Sequence, residues 1–266
     1  TDALVKRGVQ VTIIEMKSRL LNTVLYEEGS AMVEARLNEA GVRIITGHSI
    51  RKIWGSPEKG VTGVNTDDGR NIPCDMVIAA AGVRPRVELA AGAGLKIARG
   101  IMVDRYAAAS ADGVYACGDA AEVFDYINED HRPIPVWPNA CLGGRIAGLN
   151  MAGIPAEYSG CTAMNSLKYF GLAVVSAGIV SPEGNHHETL SLKENGNYRK
   201  VVLKNGRIQG LVFAGDIERA GIVFNLMKDR VDISGFKEAL VKGDFGLMDV
   251  PGEFWRGRFK AGTPGR

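Results

Sequence analysis

Long apolar runs are absent from this sequence. No stretch approaches the roughly 20 consecutive apolar residues that a membrane-spanning helix needs, so no membrane partner is expected. Excess charge of either sign is also absent: 32 Lys and Arg face 30 Asp and Glu, a net charge of +2. That balance gives no electrostatic case for nucleic acid. Cysteine is scarce, and Cys74, Cys117, Cys141 and Cys161 form neither a CxxC redox pair nor the paired spacing of a zinc site. They read as reduced thiols of a cytoplasmic protein. Histidine is equally scarce, with His186 and His187 adjacent in a polar, loop-like stretch, so no metal site is expected. The first residues carry no secretory leader pattern. What remains is globular composition, 45% hydrophobic and 23% charged over 266 residues, enough for about two domains.

The chain opens on TDALVKRG, which reads as the end of a helix closed by Gly8. A short buried strand follows over residues 9–15, ending at Glu15. A helix is expected over 26–40, with Ser30, Val33, Leu37 and Ala40 on one stripe and Gly41 as its stop. VRIIT, residues 42–46, is a second strand, and the alternation is that of a parallel α/β sheet. A dinucleotide-binding fold places a GxGxxG turn about 20 residues before an acid at the end of its second strand. Glu15 occupies the place of that acid, which puts the expected glycine turn upstream of Thr1.

Residues 61–73 read as a hairpin around Asp68-Gly69. Met76 to Ala80 read as a buried strand running into Gly82. Val114 to Ala116 read as a short strand stopping at Gly118-Asp119. Glycine at 118 permits close approach of a ligand, and the Asp119 carboxylate falls at the carboxyl end of a strand, where α/β sheets bind ligands. A helix over 139–153 is rich in small residues, among them Ala140, Gly143 and Gly144, which signals a backbone or ligand packed close against it. Four strands are expected at 172–180, 188–192, 198–204 and 207–215. The last two are joined by Asn205-Gly206, and a helix bearing Ile222, Val223, Leu226 and Met227 covers them. This part is an α+β module.

The blocks VTIIE, AAAGVRPR, GVYACGDAAEV and PVWPNACLGGRIAGLNMAG, in this order, resemble the FAD-dependent pyridine nucleotide-disulfide oxidoreductases, and within them the NADH oxidase and coenzyme A-disulfide reductase type. The resemblance covers about residues 1–250. It implies an α/β fold with incomplete NAD(P)- and FAD-binding Rossmann-like domains followed by an α+β interface domain. The expected division is an NAD(P)-binding domain at 1–82 lacking its first strand and glycine turn, the second segment of an FAD-binding domain at 83–157, and a dimerisation domain at 158–266. The chain is thus expected to be a C-terminal fragment without the family's first FAD segment.

The resemblance also implies roles for individual residues. Asp119, on the turn at Gly118, matches the aspartate that accepts hydrogen bonds from the ribityl hydroxyls of FAD. Trp137, Pro138, Asn139 and Ala140 match the helix start that faces the flavin pyrimidine edge. There, free N–H groups and the helix dipole favour negative charge. Glu15 matches the acceptor of the adenosine ribose hydroxyls and favours NADH, although Lys17 and Arg19 nearby suit a phosphate. Gly82 matches the glycine ending a small-residue strand, with Ala81 where relatives carry threonine. None of the four cysteines matches the family's redox-active cysteine, so no catalytic residue is assigned. The function implied is transfer of hydride from NAD(P)H to FAD and of electrons to oxygen, a disulfide or persulfide, or a partner's metal centre. The alternative is a catalytically incomplete fragment that acts only as a dimerisation or interaction module. A homodimer is expected. The tail from 252 to 266, with Arg256, Arg258, Lys260 and Arg266 among glycines, reads as a mobile extension.

Overall fold

The computed structural model describes residues 1–242, 245–250 and 252. The expected mobile tail lies outside the described residues, apart from Gly252. The chain forms two compact units. The first comprises Thr1–Ala80, Ser166–Ser176 and Val180–Arg266, and the second Ala81–Asn165 and Ala177–Ile179.

The first unit begins with the short helix α1 (Asp2–Val5), strand β1 (Thr12–Glu15), helix α2 (Glu27–Glu39) and strand β2 (Arg43–Thr46). β1 and β2 pair in parallel, Ile13 opposite Ile44 and Ile14 opposite Ile45. The helix between them is the crossover that a parallel pair requires. An antiparallel meander follows, β3 (Ile50–Ser56), β4 (Gly60–Thr66) and β5 (Asn71–Pro73), with the turn at Asp68-Gly69 where the sequence places it.

The same unit contains a five-stranded sheet. Its strands are β9 (Met164–Tyr169), β10 (Leu172–Gly178), β11 (Glu188–Glu194), β12 (Asn197–Lys204) and β13 (Arg207–Ala214), in the order β11-β12-β13-β10-β9. Asn205 and Gly206 join β12 to β13 with φ of 52° and 70°, the left-handed pair of a tight hairpin. Helix α5 (Ala220–Lys228) lies on β13 and buries Val223, Leu226 and Met227.

One core joins α2 to this sheet. Leu25, Val33 and Leu37 are buried with Val174, Tyr198, Val212 and Ala214. Ser30, also buried, interrupts the apolar stripe without penalty, because its hydroxyl donates to the Leu20 carbonyl at 2.7 Å. Lys200 on β12 is buried too. Its ammonium donates to the Val180 carbonyl at 3.0 Å and lies 3.2 Å from the centre of the Tyr26 ring. Burial pushes its pKa below that of an ordinary lysine.

The second unit holds the short helix α3 (Glu88–Gly92), strands β6 (Ile101–Met102), β7 (Ala121–Asp125) and β8 (Asp130–Pro133), and helix α4 (Trp137–Met151). β7 pairs in parallel with β6 and antiparallel with β8. Two buried acids on β7 serve the backbone. Glu122 accepts from the N–H groups of Arg99 and Gly100. Asp125 accepts from the N–H groups of Ile127 and Asn128 at 2.9 and 3.2 Å. Among the described residues no helix is long and apolar enough to cross a membrane.

Three sequence expectations are corrected. Met76 to Ala80 are not in a strand, and Met76 and Ile78 are exposed, because no described strand lies alongside to complete a ladder. Val114 to Ala116 are reduced to a single bridge between Tyr115 and Ala108. The expected incomplete nucleotide-binding domains do not stand either. Residues 1–80 are not a bare half-domain, since the helix covering β1 and β2 shares a closed apolar core with the C-terminal sheet.

Gly160 has φ of 93°, and a Cβ added there would strike the Phe124 carbonyl. Close packing is required because the Cys161 N–H donates to that same carbonyl at 2.9 Å. Gly160→Ala is expected to cost about 1–3 kcal/mol or more, read as a lower urea midpoint at unchanged slope. Leu211→Ala, at a fully buried position of β13, is expected to cost about 2–5 kcal/mol in the same measurement.

Candidate functional site

The second unit brings six of the sequence-assigned residues together, Gly118 and Asp119 with Trp137, Pro138, Asn139 and Ala140. Cys117 leads into a 3-10 turn, Gly118–Ala120, and this turn packs on the start of α4. The contact is close because both sides are small. A Cβ on Gly118, whose φ is 69°, would lie 3.5 Å from the Ala140 Cβ. One on Gly143 would lie 3.1 Å from the Cys117 Cβ. This accounts for the small residues on α4 at these positions, and it makes Cys117 a packed thiol.

Asp119 is exposed at the crest of the turn, and its carboxylate makes no hydrogen bond or ion pair among the described residues. Beside it, α4 starts at Trp137-Pro138. No side chain caps the helix, and its first turn carries no acid. Neither a cap nor an acid of the helix itself therefore offsets its positive end. Trp137 is 82% exposed, and Pro138 is exposed as well.

Asn139 differs from its neighbours. It is 1% exposed, with its amide turned inward. Nδ2 donates to the Ile134 carbonyl at 2.7 Å, and Oδ1 accepts from the Tyr158 hydroxyl at 2.5 Å. Burial keeps the Tyr158 phenol protonated, with its pKa well above the usual value. Tyr158 carried no signal in the sequence that marked it as part of this site.

The remaining assigned residues lie apart along the chain. Gly82, in the second unit, is exposed with φ of 96° and open space where a Cβ would stand. Glu15, in the first unit, ends β1, and its carboxylate accepts the Lys17 N–H at 2.8 Å. That bond ties the turn after the strand and leaves the acid partly accessible.

Comparison with known proteins adds independent information. A family model described as pyridine nucleotide-disulphide oxidoreductase matches residues 1–144. A second, described as rubredoxin NAD+ reductase C-terminal domain, matches residues 164–231. The chain is 26% identical over 260 residues to the NADH-dependent phenylglyoxylate dehydrogenase subunit epsilon of Aromatoleum evansii, covering 96% of this chain and 61% of that protein. It is 28% identical over 240 residues to the nitrite reductase [NAD(P)H] of Bacillus subtilis, covering 87% of this chain and 28% of that protein. Among solved structures, an NAD-dependent persulfide reductase from A. fulgidus superposes with a TM-score of 0.83 at 26% identity, over 92% of this chain and 48% of that one. The chain thus spans less than two thirds of the length of each of these proteins. The first family match covers residues 1–144, all of the first expected nucleotide-binding stretch and most of the second. The reading of the chain as a C-terminal fragment lacking the first FAD segment has no support from it and is set aside.

One further cluster joins β2 to the meander. The Nδ1 of His48 is 2.9 Å from Asp67, and its Nε2 is 3.4 Å from Asp68. Their ligating atoms are close enough to hold a cation, but protein donors already occupy the carboxylates. Asp67 also accepts from the Ser49 N–H and hydroxyl, and Asp68 from the Thr66 hydroxyl and the Arg70 guanidinium. The cluster ties the base of the hairpin. The bond to His48, then those to Ser49, hold the Asp67 pKa below the usual carboxylate range. For Asp68 the Thr66 hydroxyl, then Arg70, do the same. A carboxyl depressed in the folded state lends stability that is lost as pH falls through the unfolded pKa of about 3.9 towards the folded one. Asp68→Asn is expected to flatten the acid limb of urea midpoint against pH and to leave the curve near pH 7 parallel to that of the parent.

Proposed function

The chain belongs to the pyridine nucleotide-disulphide oxidoreductase family, and from that premise we propose that it works in a flavin-dependent oxidoreductase with FAD and NAD(P)H as cofactors. The observation that carries this reading is the pairing of a free, exposed Asp119 carboxylate with the uncapped start of α4 across a close contact between small residues. When bound, FAD supplies a ring that takes hydride from NAD(P)H and passes electrons onward.

The chain's own residues bind and orient. Asp119 accepts hydrogen bonds from the cofactor's sugar hydroxyls, a task suited to a group that offers only acceptors. Gly118 lets the cofactor approach the backbone. Trp137, Pro138, Asn139 and Ala140 present the positive end of α4 to the part of the flavin that gains negative charge on reduction. Glu15 accepts from the ribose hydroxyls of the nicotinamide cofactor and favours NADH, since a 2′-phosphate there meets like charge. Gly82 keeps the chain free of a side chain beside the cofactor path.

In this reading residues 1–82 serve the nicotinamide cofactor, 83–157 serve FAD and 158–266 pair two subunits in a cytoplasmic homodimer. The similar proteins are named for different acceptors, nitrite in one case and persulfide in another. The acceptor is accordingly the variable part of the proposal: oxygen, a disulfide or persulfide, or a partner's metal centre.

Asp119→Ala is expected to weaken FAD binding about tenfold or more, the usual loss for a hydrogen bond to a charged group. Titration of flavin fluorescence checks this, and unchanged affinity overturns the site. Glu15→Gln is expected to shift the ratio of NADPH to NADH reactivity towards NADPH by about fivefold, read from rates of flavin bleaching with each cofactor.

A further inference from the structure

The start of α4 has an unusual support. Helices of this kind normally begin at a side chain that caps the first N–H groups, yet Val136 precedes α4 and no cap bond is made. The position of the first turn is fixed from inside instead. The Ile134 carbonyl can only accept, so it takes Nδ2 of Asn139 at 2.7 Å. That leaves Oδ1 facing Tyr158, whose hydroxyl must donate, at 2.5 Å. Both side chains are buried, Asn139 at 1% and Tyr158 at 6% exposure. The Tyr158 N–H donates to the Arg105 carbonyl at 2.7 Å, so the phenol is itself held in place. A buried amide so constrained has one orientation, and it holds Ile134 to Asn139 as a unit while leaving the first-turn N–H groups to the outside.

We propose that Tyr158, acting through Asn139, is a positioning residue that aims the uncapped N-terminus of α4 at the flavin and thereby raises the flavin's reduction potential. The inference rests on the flavin reading of this site and adds a residue to it. Tyr158 touches no cofactor in this proposal, and its effect is transmitted through the helix start. A helix end aimed correctly stabilises the reduced, more negative flavin over the oxidised one. Loosening the amide lowers that preference.

The experiment measures the midpoint potential of the FAD-loaded protein by spectroelectrochemical titration. Four variants are compared with the parent: Tyr158→Phe, Asn139→Ala, the double variant, and Tyr106→Phe. Tyr106 is a control, because its hydroxyl bonds Glu157 at the surface. Tyr158→Phe is expected to lower the ratio of reduced to oxidised flavin about tenfold at a given potential, a fall of about 30 mV for a two-electron couple. Asn139→Ala falls in the same direction, the double variant falls no further than Asn139→Ala alone, and Tyr106→Phe does not move. A Tyr158→Phe potential equal to that of the parent overturns the inference, as does a double variant in which the two shifts add.

Should Tyr158→Phe not retain FAD, amide exchange of the flavin-free protein decides. Faster exchange confined to the first turn of α4 supports the inference, and unchanged exchange there overturns it. The two levels of the reading also fail separately. Unchanged FAD affinity in Asp119→Ala removes the flavin site, whereas weakened affinity there with an unmoved potential in Tyr158→Phe removes only the role of Tyr158.

Discussion

The second unit depends on how closely a turn can approach a helix. Cys117 and Gly118 come within van der Waals contact of α4 only because positions 140 and 143 are Ala and Gly. A single added methyl at Gly143 would already crowd Cys117 at 3.1 Å. That closeness sets the exposed Asp119 beside the helix start. The left-handed backbone at Gly118 and the small face of α4 are therefore one feature seen from two sides, and the exposed carboxylate is its product.

The first unit is organised differently, around a buried interface that must satisfy polar groups as well as exclude water. α2 brings Ser30 and Glu28 to the C-terminal sheet along with its leucines and valines. Each polar group meets a partner: Ser30 the carbonyl of Leu20, in the loop before the helix, and Glu28 the hydroxyl of Tyr198 on β12 at 3.3 Å. Glu34 likewise takes the Leu20 N–H at 2.9 Å. Such pairing costs little when complete and is heavily penalised when broken. It explains why a helix with a modest apolar face still has a defined seat.

Periodicity and turn chemistry made much of this legible. The parallel pair at β1 and β2, the stripe of α2, the Asp68-Gly69 hairpin and the Asn205-Gly206 hairpin all follow from local rules. The strands that escaped notice are those whose pattern is not apolar. β7 buries Glu122 and Asp125, which in sequence look solvated; Glu122 is met by the Gly100 N–H, 22 residues away, and Asp125 by the N–H groups of the turn that follows it. β3 is exposed over nearly its whole length and so has no alternation to read. The apolar run at Met76 to Ala80 misleads in the opposite sense, since composition cannot say whether a neighbouring strand is present. In the candidate site, the family resemblance pointed to Asp119 and the start of α4, which the fold sets side by side. The inward turn of Asn139 depends on Tyr158, 19 residues away, and a pairing at that separation leaves no local trace.

Lys200 closes the first unit from within. Its amine is sealed between the Tyr26 ring and the Val180 carbonyl, at the point where α2 begins. An acylating reagent can reach that nitrogen only when the helix lifts from the sheet. The rate at which Lys200 is labelled, set against that of surface lysines such as Lys59, is therefore a built-in clock for how often the two halves of this unit part company.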